Sequence, residues 1–482
     1  MMCDQPPFPL AYKRCRIKII QSQQRDIVMK HLHFSFKFTL LAGSLALLTA
    51  CHSIIYHPTK TIEQIEPEKG YRLENAMQQA LQKENLVIVA FSGGGSRAAS
   101  LGYGVLEQFQ HASVRPTEKG DTLLQNIDVV YGVSGGSVLA AYFALEGQDI
   151  IPKFNEFFLK KNFQKKVINE VLSVSNVPRL TASQFGRSDL LQEQLNLALY
   201  SGKKFADLEQ RKGPFAVINA TDMTAEQKIS FTQDFFDWLC LDLNDVEIAR
   251  AVAASSAVPL IFSPITQNNH GGTCHAESKK DLLMLTQPKN RLLLSNFEAM
   301  KKRVARYQNS AERPYLHLVD GGLTDNLGLA SLLDVSNLLS MRKLYAELKH
   351  YNLRNIVVVN VNAQNERTSH IDKSADVPGI KEVVNTVINV PIDKTTESTV
   401  KYSQKFAEQW NAYAKRKKDV KIKIYFVNLS LKNLPEGQLK NDVLNIGTSF
   451  YLPESDVDKL REAAKILLQQ SKEYRNALKA LQ

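Results

Sequence analysis

Ile127-Asp-Val-Val-Tyr-Gly-Val-Ser134-Gly-Gly-Ser-Val-Leu-Ala-Ala-Tyr-Phe-Ala144 decides how this chain is read. Its opening, Ile127 to Tyr131, is short, apolar and mostly β-branched, the pattern of a buried strand. Its close, Val138 to Leu145, is rich in Ala and Leu and predicts a helix. Between them, Gly132-Val133-Ser134-Gly135-Gly136 matches G-x-S-x-G. A sharp strand-to-helix turn of this kind holds a serine in a strained conformation with its hydroxyl presented. Gly132 and Gly136 flank it, where side chains would collide across the turn. The following helix turns its first N–H groups toward Ser134 and toward any oxyanion formed there. An incidental serine in a glycine-rich turn is the plainer reading, and the flanking strand and helix argue against it.

A second unit of the same kind lies upstream. Leu86-Val-Ile-Val-Ala-Phe91 predicts a buried strand, Ser92-Gly93-Gly94-Gly95-Ser96-Arg97 a loop, and Ala98 to Phe109 a helix. Gly93 to Ala98 formally fits the dinucleotide fingerprint, but no strand-end acidic residue follows at the expected distance. No Gly-Lys-Ser/Thr follows either, which excludes a P-loop. The favoured reading is an oxyanion hole for Ser134, because successive units in one parallel sheet bring both loops to the same carboxyl edge.

Two further blocks complete an ordered set. They are Ala253-Ala-Ser-Ser-Ala-Val-Pro259, and Asp320-Gly-Gly322 with Asp325-Asn326 shortly after. In that order, with the glycine loop and the serine turn, the blocks resemble the patatin-like phospholipase family over roughly Leu86 to Asn362. Ala98 departs from the pattern, since many members carry glycine there. The resemblance implies a three-layer α/β/α fold with a mostly parallel central sheet and insertions over the active edge. It implies a lipid acyl-ester hydrolase of phospholipase A or lysophospholipase type, working through an acyl-enzyme. Ser134 would be the nucleophile and Asp320 its direct base, with no histidine between them. Gly93, Gly94, Gly95 and Arg97 would form the oxyanion hole. No metal or organic cofactor is implied, and the expected partner is a phospholipid or other acyl-lipid substrate. Tyr315 to Asp320 reads as a strand ending at the active edge, and period 2 puts His317 and Asp320 on opposite faces. Two other function classes stay open: a catalytically idle envelope scaffold, and an oxidoreductase using Gly93 to Ala98.

The chain has 482 residues, 44% hydrophobic and 23% charged, the balance of a folded protein. Its net charge is +11, of which +5 falls within residues 1–51. The excess over the remainder is modest, and it favours an ordinary basic surface over nucleic-acid binding. Phe38 to Ala50 is an apolar run after Lys30 and Lys37, of signal-peptide length and too short to span a bilayer. It ends in Leu48-Thr-Ala-Cys51, which resembles a bacterial lipobox and implies lipidation at Cys51, with a membrane anchor and outer-membrane location expected. The domain reading is therefore an over-extended start at 1–28, a signal peptide at 29–50, and a tether with a short helix at 51–85. A catalytic core at 86–362 and a C-terminal extension at 363–482, completing or flanking that core, follow.

Smaller features complete the reading. Ile151 to Leu172 carries Phe154, Phe157, Phe158 and Phe163 among lysines. It reads either as a basic amphipathic helix meeting headgroups or as a helix packed on the core. His270, Cys274 and His275 share a loop without the paired spacing of a zinc site. Cys240 and Cys274 are the only cysteines after Cys51, and sequence alone does not show whether their geometry permits a disulfide. Phe215 to Asp222, Asn355 to Val361 and Lys421 to Asn428 predict strands, and Glu454 to Leu481 a terminal helix.

Overall fold

The structure is a computed structural model, and it describes residues 58–276, 291–330, 332–334, 339–366, 375–417 and 422–482. The apolar run Phe38 to Ala50 and Cys51, on which the signal and lipidation expectations fall, lie outside the described residues. The chain divides into two units. The described part of the smaller one is Val174–Phe185, with a short helix at Val177–Leu180 and the Arg179 guanidinium 4.2 Å from the centre of the Phe185 ring. The rest forms the main body.

Eight strands build its sheet: β1 Asn85–Phe91, β2 Val129–Val133, β3 Phe215–Asp222, β4 Gln227–Ser230, β5 Ile265–Asn268, β6 Tyr315–Asp320, β7 Asn355–Asn362 and β8 Lys423–Ser430. Their order is β8-β7-β1-β2-β3-β6-β5, with β4 also paired to β3. The run from β8 to β3 is parallel, and β4, β5 and β6 pair antiparallel. The central strands are apolar on both faces, as a sheet covered by helices on both sides requires. Residues after position 362 are part of this sheet, since β8 is its outermost parallel strand.

The helices used below are α1 Gly95–Gln110, α2 Gly135–Glu146, α3 Phe163–Leu172, α4 Ile248–Ser255, α5 Arg291–Tyr307, α6 Ile380–Lys415, α7 Glu454–Gln470 and α8 Lys472–Leu481. Both turn-and-helix units begin earlier than the sequence suggests. α1 starts at Gly95 rather than Ala98, and α2 at Gly135 rather than Val138. Glycine propensity argued against helix there, but each glycine is fixed by close packing. A β-carbon at Gly136 would fall 2.4 Å from the Phe91 carbonyl oxygen.

Two other expectations change, and a pairing left open is settled. The stretch from Ile151 to Leu172 is not one helix. It turns tightly through Ile150–Phe154, widens over Asn155–Leu159, stops at Lys160 and restarts as α3. Phe154, Phe158 and Phe163 are buried and meet in sequence as tilted ring pairs, so this side of the segment packs on the core, while Phe157, Ile168 and Leu172 are exposed. The terminal helix is two helices, broken at Ser471, whose side chain accepts from Tyr474 N–H and caps α8. Cys240 and Cys274 form a disulfide with Cα atoms 5.5 Å apart, which removes Cys274 from any thiolate site. The 36-residue helix α6 had no counterpart in the sequence reading. Pro391 and a run of Asn and Thr masked it.

Candidate active site

β1 and β2 lie side by side and end together, Phe91 opposite Gly132. Their loops therefore meet at one edge. Ser134 follows β2 with φ 51° and ψ −124°, a conformation that costs a non-glycine residue roughly 1–3 kcal/mol. The turn is held from both sides. Ser137 donates to the Ser134 carbonyl oxygen from its N–H at 2.9 Å and from its hydroxyl at 2.6 Å. Ser134 N–H donates to Ser255 Oγ at 2.9 Å, and Ser255 Oγ donates in turn to the Asn219 carbonyl at 2.6 Å.

Asp320 reaches the same edge by a route the sequence did not reveal. β6 runs antiparallel to β3, with Asp320 opposite Ala220, while Asn219 sits opposite Val133 at the end of β2. β6 thus descends onto the edge from beyond it and stops there. The run Ser255 to Ala257 ties this end to the serine turn. Asp320 N–H donates to Ala257 O at 3.0 Å and Gly321 N–H to Ser255 O at 3.2 Å. One block therefore positions both Ser134 and Asp320.

The Asp320 carboxyl is buried. Oδ1 accepts from Gly322 N–H at 2.8 Å, and the buried Oδ2 has no hydrogen-bond partner among the described residues. Burial raises its pKa to about 6, and the Gly322 amide and the Ser134 hydroxyl pull it partly back down. Asp325, five residues on, is also buried, with its pKa raised by desolvation. Its carboxylate is instead tied to local backbone, accepting Ala330 N–H at 2.8 Å. His317 is exposed, with Nδ1 3.3 Å from Thr266 Oγ1, and takes no part in the cluster.

The glycine loop caps the arrangement. Gly93 N–H already donates to Asn326 O at 3.0 Å, and Ser96 N–H to Ser449 O at 2.7 Å. The amides of Gly94 and Gly95 carry no hydrogen bond among the described residues and head α1. Gly94 has φ 134°, in the left-handed region that favours glycine. A β-carbon at Gly135 would fall 2.0 Å from Gly95 O, so the loop rests directly on the serine turn. Arg97 was expected to help form an oxyanion hole. Its buried guanidinium instead donates to Ala363 O from Nε and Ile446 O from Nη1, both at 2.7 Å. It acts as a brace between the loop and the C-terminal third of the chain.

Four neighbours of this site went unnoticed in the sequence. Ser255 and Asn326 lay within quoted blocks without an assigned task, and Thr396 and Ser449 carried no local signal. Asn326 Oδ1 lies where a β-carbon on Gly93 would be, 2.4 Å away, and Asn326 Nδ2 donates to Thr396 Oγ1 of α6 at 3.4 Å.

A buried carboxyl beside a strained serine, with open amides at the same sheet edge, is an arrangement suited to acyl transfer. The family model for patatin-like phospholipase matches residues 89–333, a span that holds all these parts except Ser449 and Thr396. The chain belongs to the patatin-like phospholipase family. Among solved structures it is similar to human GIVD cytosolic phospholipase A2, at 13% identity and a TM-score of 0.41. That match covers 84% of this chain and 65% of the human one, so the chain spans just under two thirds of that relative's length. VipD from Legionella pneumophila matches at 12% identity and a TM-score of 0.27, over 83% of this chain and 67% of VipD. No curated protein sequence matches.

Proposed function

We propose that the chain hydrolyses acyl esters of lipids, with Ser134 as nucleophile and Asp320 as the base that acts on it directly. The observation that carries this is the buried Asp320 carboxyl with the hydroxyl of the strained Ser134 beside it, close enough to lower its pKa. Asp320 takes the Ser134 hydroxyl proton as Oγ bonds to the ester carbonyl carbon. The carbonyl electrons move to oxygen, and the N–H groups of Gly94 and Gly95 meet that charge at the head of α1. The intermediate collapses, the alcohol leaves with the proton from Asp320, and an acyl group remains on Ser134. Water then attacks the acyl carbon as Asp320 takes its proton, the C–Oγ bond breaks with that proton passing to Ser134 Oγ, and free fatty acid leaves. A base with a pKa near 6 is charged at neutral pH and far better matched to this task than an ordinary aspartate.

The lipobox-like run ending at Cys51 and the Cys240–Cys274 disulfide both suit an oxidising envelope compartment with a lipid anchor. Cys51→Ser is expected to release the chain from membranes or leave it unprocessed, and an unchanged, lipidated membrane-bound product contradicts the anchor.

The test of the activity is mass spectrometry of a mixed phospholipid extract after incubation with the purified chain. Free fatty acid and lysophospholipid should accumulate, and Ser134→Ala should abolish both. An extract left unchanged by the wild-type chain, or changed equally by Ser134→Ala, refutes the proposal.

A further inference from the structure

α6 crosses the full height of the sheet, and part of it is left over. At its C-terminal end Trp410 Nε1 donates to Ile422 O, and Asn411 exchanges hydrogen bonds with Ile424, at the starting end of β8. Some fourteen residues earlier it passes the opposite, carboxyl edge. There Gln364 Nε2, just past β7, donates to Asp393 Oδ1 at 2.6 Å, and Lys432, just past β8, lies 3.8 Å from Glu397. Thr396 meets Asn326 of the site at the same level. Residues 380–392 therefore stand beyond the edge that holds Ser134 and Asp320, and they extend for about 20 Å at 1.5 Å per residue.

This length is amphipathic, with Val384, Ile388 and Ile392 half-buried along one flank. Ile380, Val383, Val387 and Val390 fall within an arc of about 80° at 100° per residue. They are 85%, 51%, 67% and 50% exposed. Glu382, Asn385 and Asn389 occupy the opposite side of the helix wheel. Leu260 and Ile261, only three and four residues after the Ala257 carbonyl that holds Asp320, are also largely exposed. So apolar side chains stand in water at two places associated with the edge by which a substrate reaches Ser134. An apolar stripe on a helix whose opposite side is polar suits the level of the headgroups.

We infer that the Ile380–Val383–Val387–Val390 face of α6 is a docking surface for a phospholipid bilayer, seating the catalytic edge on the membrane independently of any lipid anchor. The inference rests on the lipid-hydrolase reading, since the substrate of that reaction lies in such a surface. Within Ile151 to Leu172, by contrast, Phe154, Phe158 and Phe163 are buried, while Phe157, Ile168 and Leu172 are exposed.

The experiment places an environment-sensitive fluorophore on Val387→Cys, and a control on Asn389→Cys, each in the full chain carrying Cys51→Ser so that no lipid anchor contributes. Vesicles of phosphatidylethanolamine and phosphatidylglycerol are then added. The probe at 387 should shift to the blue and be quenched by bilayer-embedded spin labels, and the probe at 389 should remain in water. This readout needs no turnover, so it stands even where the hydrolase reading fails. The double variant Val383→Lys, Val387→Lys should lower hydrolysis of vesicle phospholipid by roughly tenfold or more. It should leave hydrolysis of a soluble short-chain ester unchanged. A probe at 387 that stays in water with vesicles overturns the inference. So does one already blue-shifted without them, which would mean that a second copy or another part of the chain covers the face.

Discussion

Replacing Asp320 with asparagine should make the protein more stable at neutral pH while stopping its chemistry. The carboxyl is buried, and burial lifts its pKa from 3.8 to about 6. A shift of that size corresponds to about 3 kcal/mol of unfavourable interaction for the charged form. The sign follows from proton counts. Between these two pH values the unfolded chain has lost the proton and the folded chain keeps it, so stability falls as pH rises. The penalty is absent below the unfolded value, grows through the window, and is complete once pH passes the folded value. The substituted amide would carry no charge at any pH and would retain an oxygen to accept the Gly322 N–H. Urea denaturation of wild type and Asp320→Asn at pH 4 and at pH 8 measures the effect. The variant should be close to wild type at pH 4 and more stable by up to about 3 kcal/mol at pH 8. Its ester hydrolysis should be lost, and wild-type activity should rise with pH through a midpoint near 6. Equal stability differences at both pH values would refute the desolvated, functional carboxylate.

The other expectations are narrower. Ser255→Ala removes the hydroxyl shared by Ser134 N–H and Asn219 O, leaving two buried groups unmatched at about 1–3 kcal/mol each. Turnover should fall more than substrate affinity, and kcat and KM measured separately will show it. His317→Ala alters an exposed side chain outside the cluster, so the pH–rate midpoint near 6 should persist. Cys240→Ser opens a disulfide spanning 34 residues and should cost roughly 2–4 kcal/mol in denaturant unfolding.

The strand–turn–helix units were legible because their signals are local. A β-branched run, glycines at the turn and an Ala-rich continuation each act within a few residues. The antiparallel descent of β6 was not legible, because Tyr315 to Asp320 reads the same in either direction and only pairing with β3 orients it. The partners of the Arg97 guanidinium were not legible for a related reason. Its partners, the carbonyls of Ala363 and Ile446, lie more than 260 residues away in sequence. Gly93 differs from its two neighbours only through a distant partner, the Asn326 carbonyl that takes its amide. Helix α6 escaped notice because Pro391 and scattered Asn and Thr lower its propensity, and packing against β8 overrides that.

The most direct test of the central claim is covalent labelling with an alkyl fluorophosphonate, followed by peptide mass spectrometry. A fluorophosphonate reacts with serine only where the hydroxyl is activated. The account predicts one adduct, on the peptide containing Ser134, absent in Ser134→Ala and strongly reduced in Asp320→Asn. An adduct on another serine, or labelling of Ser134 that is indifferent to Asp320→Asn, would contradict it.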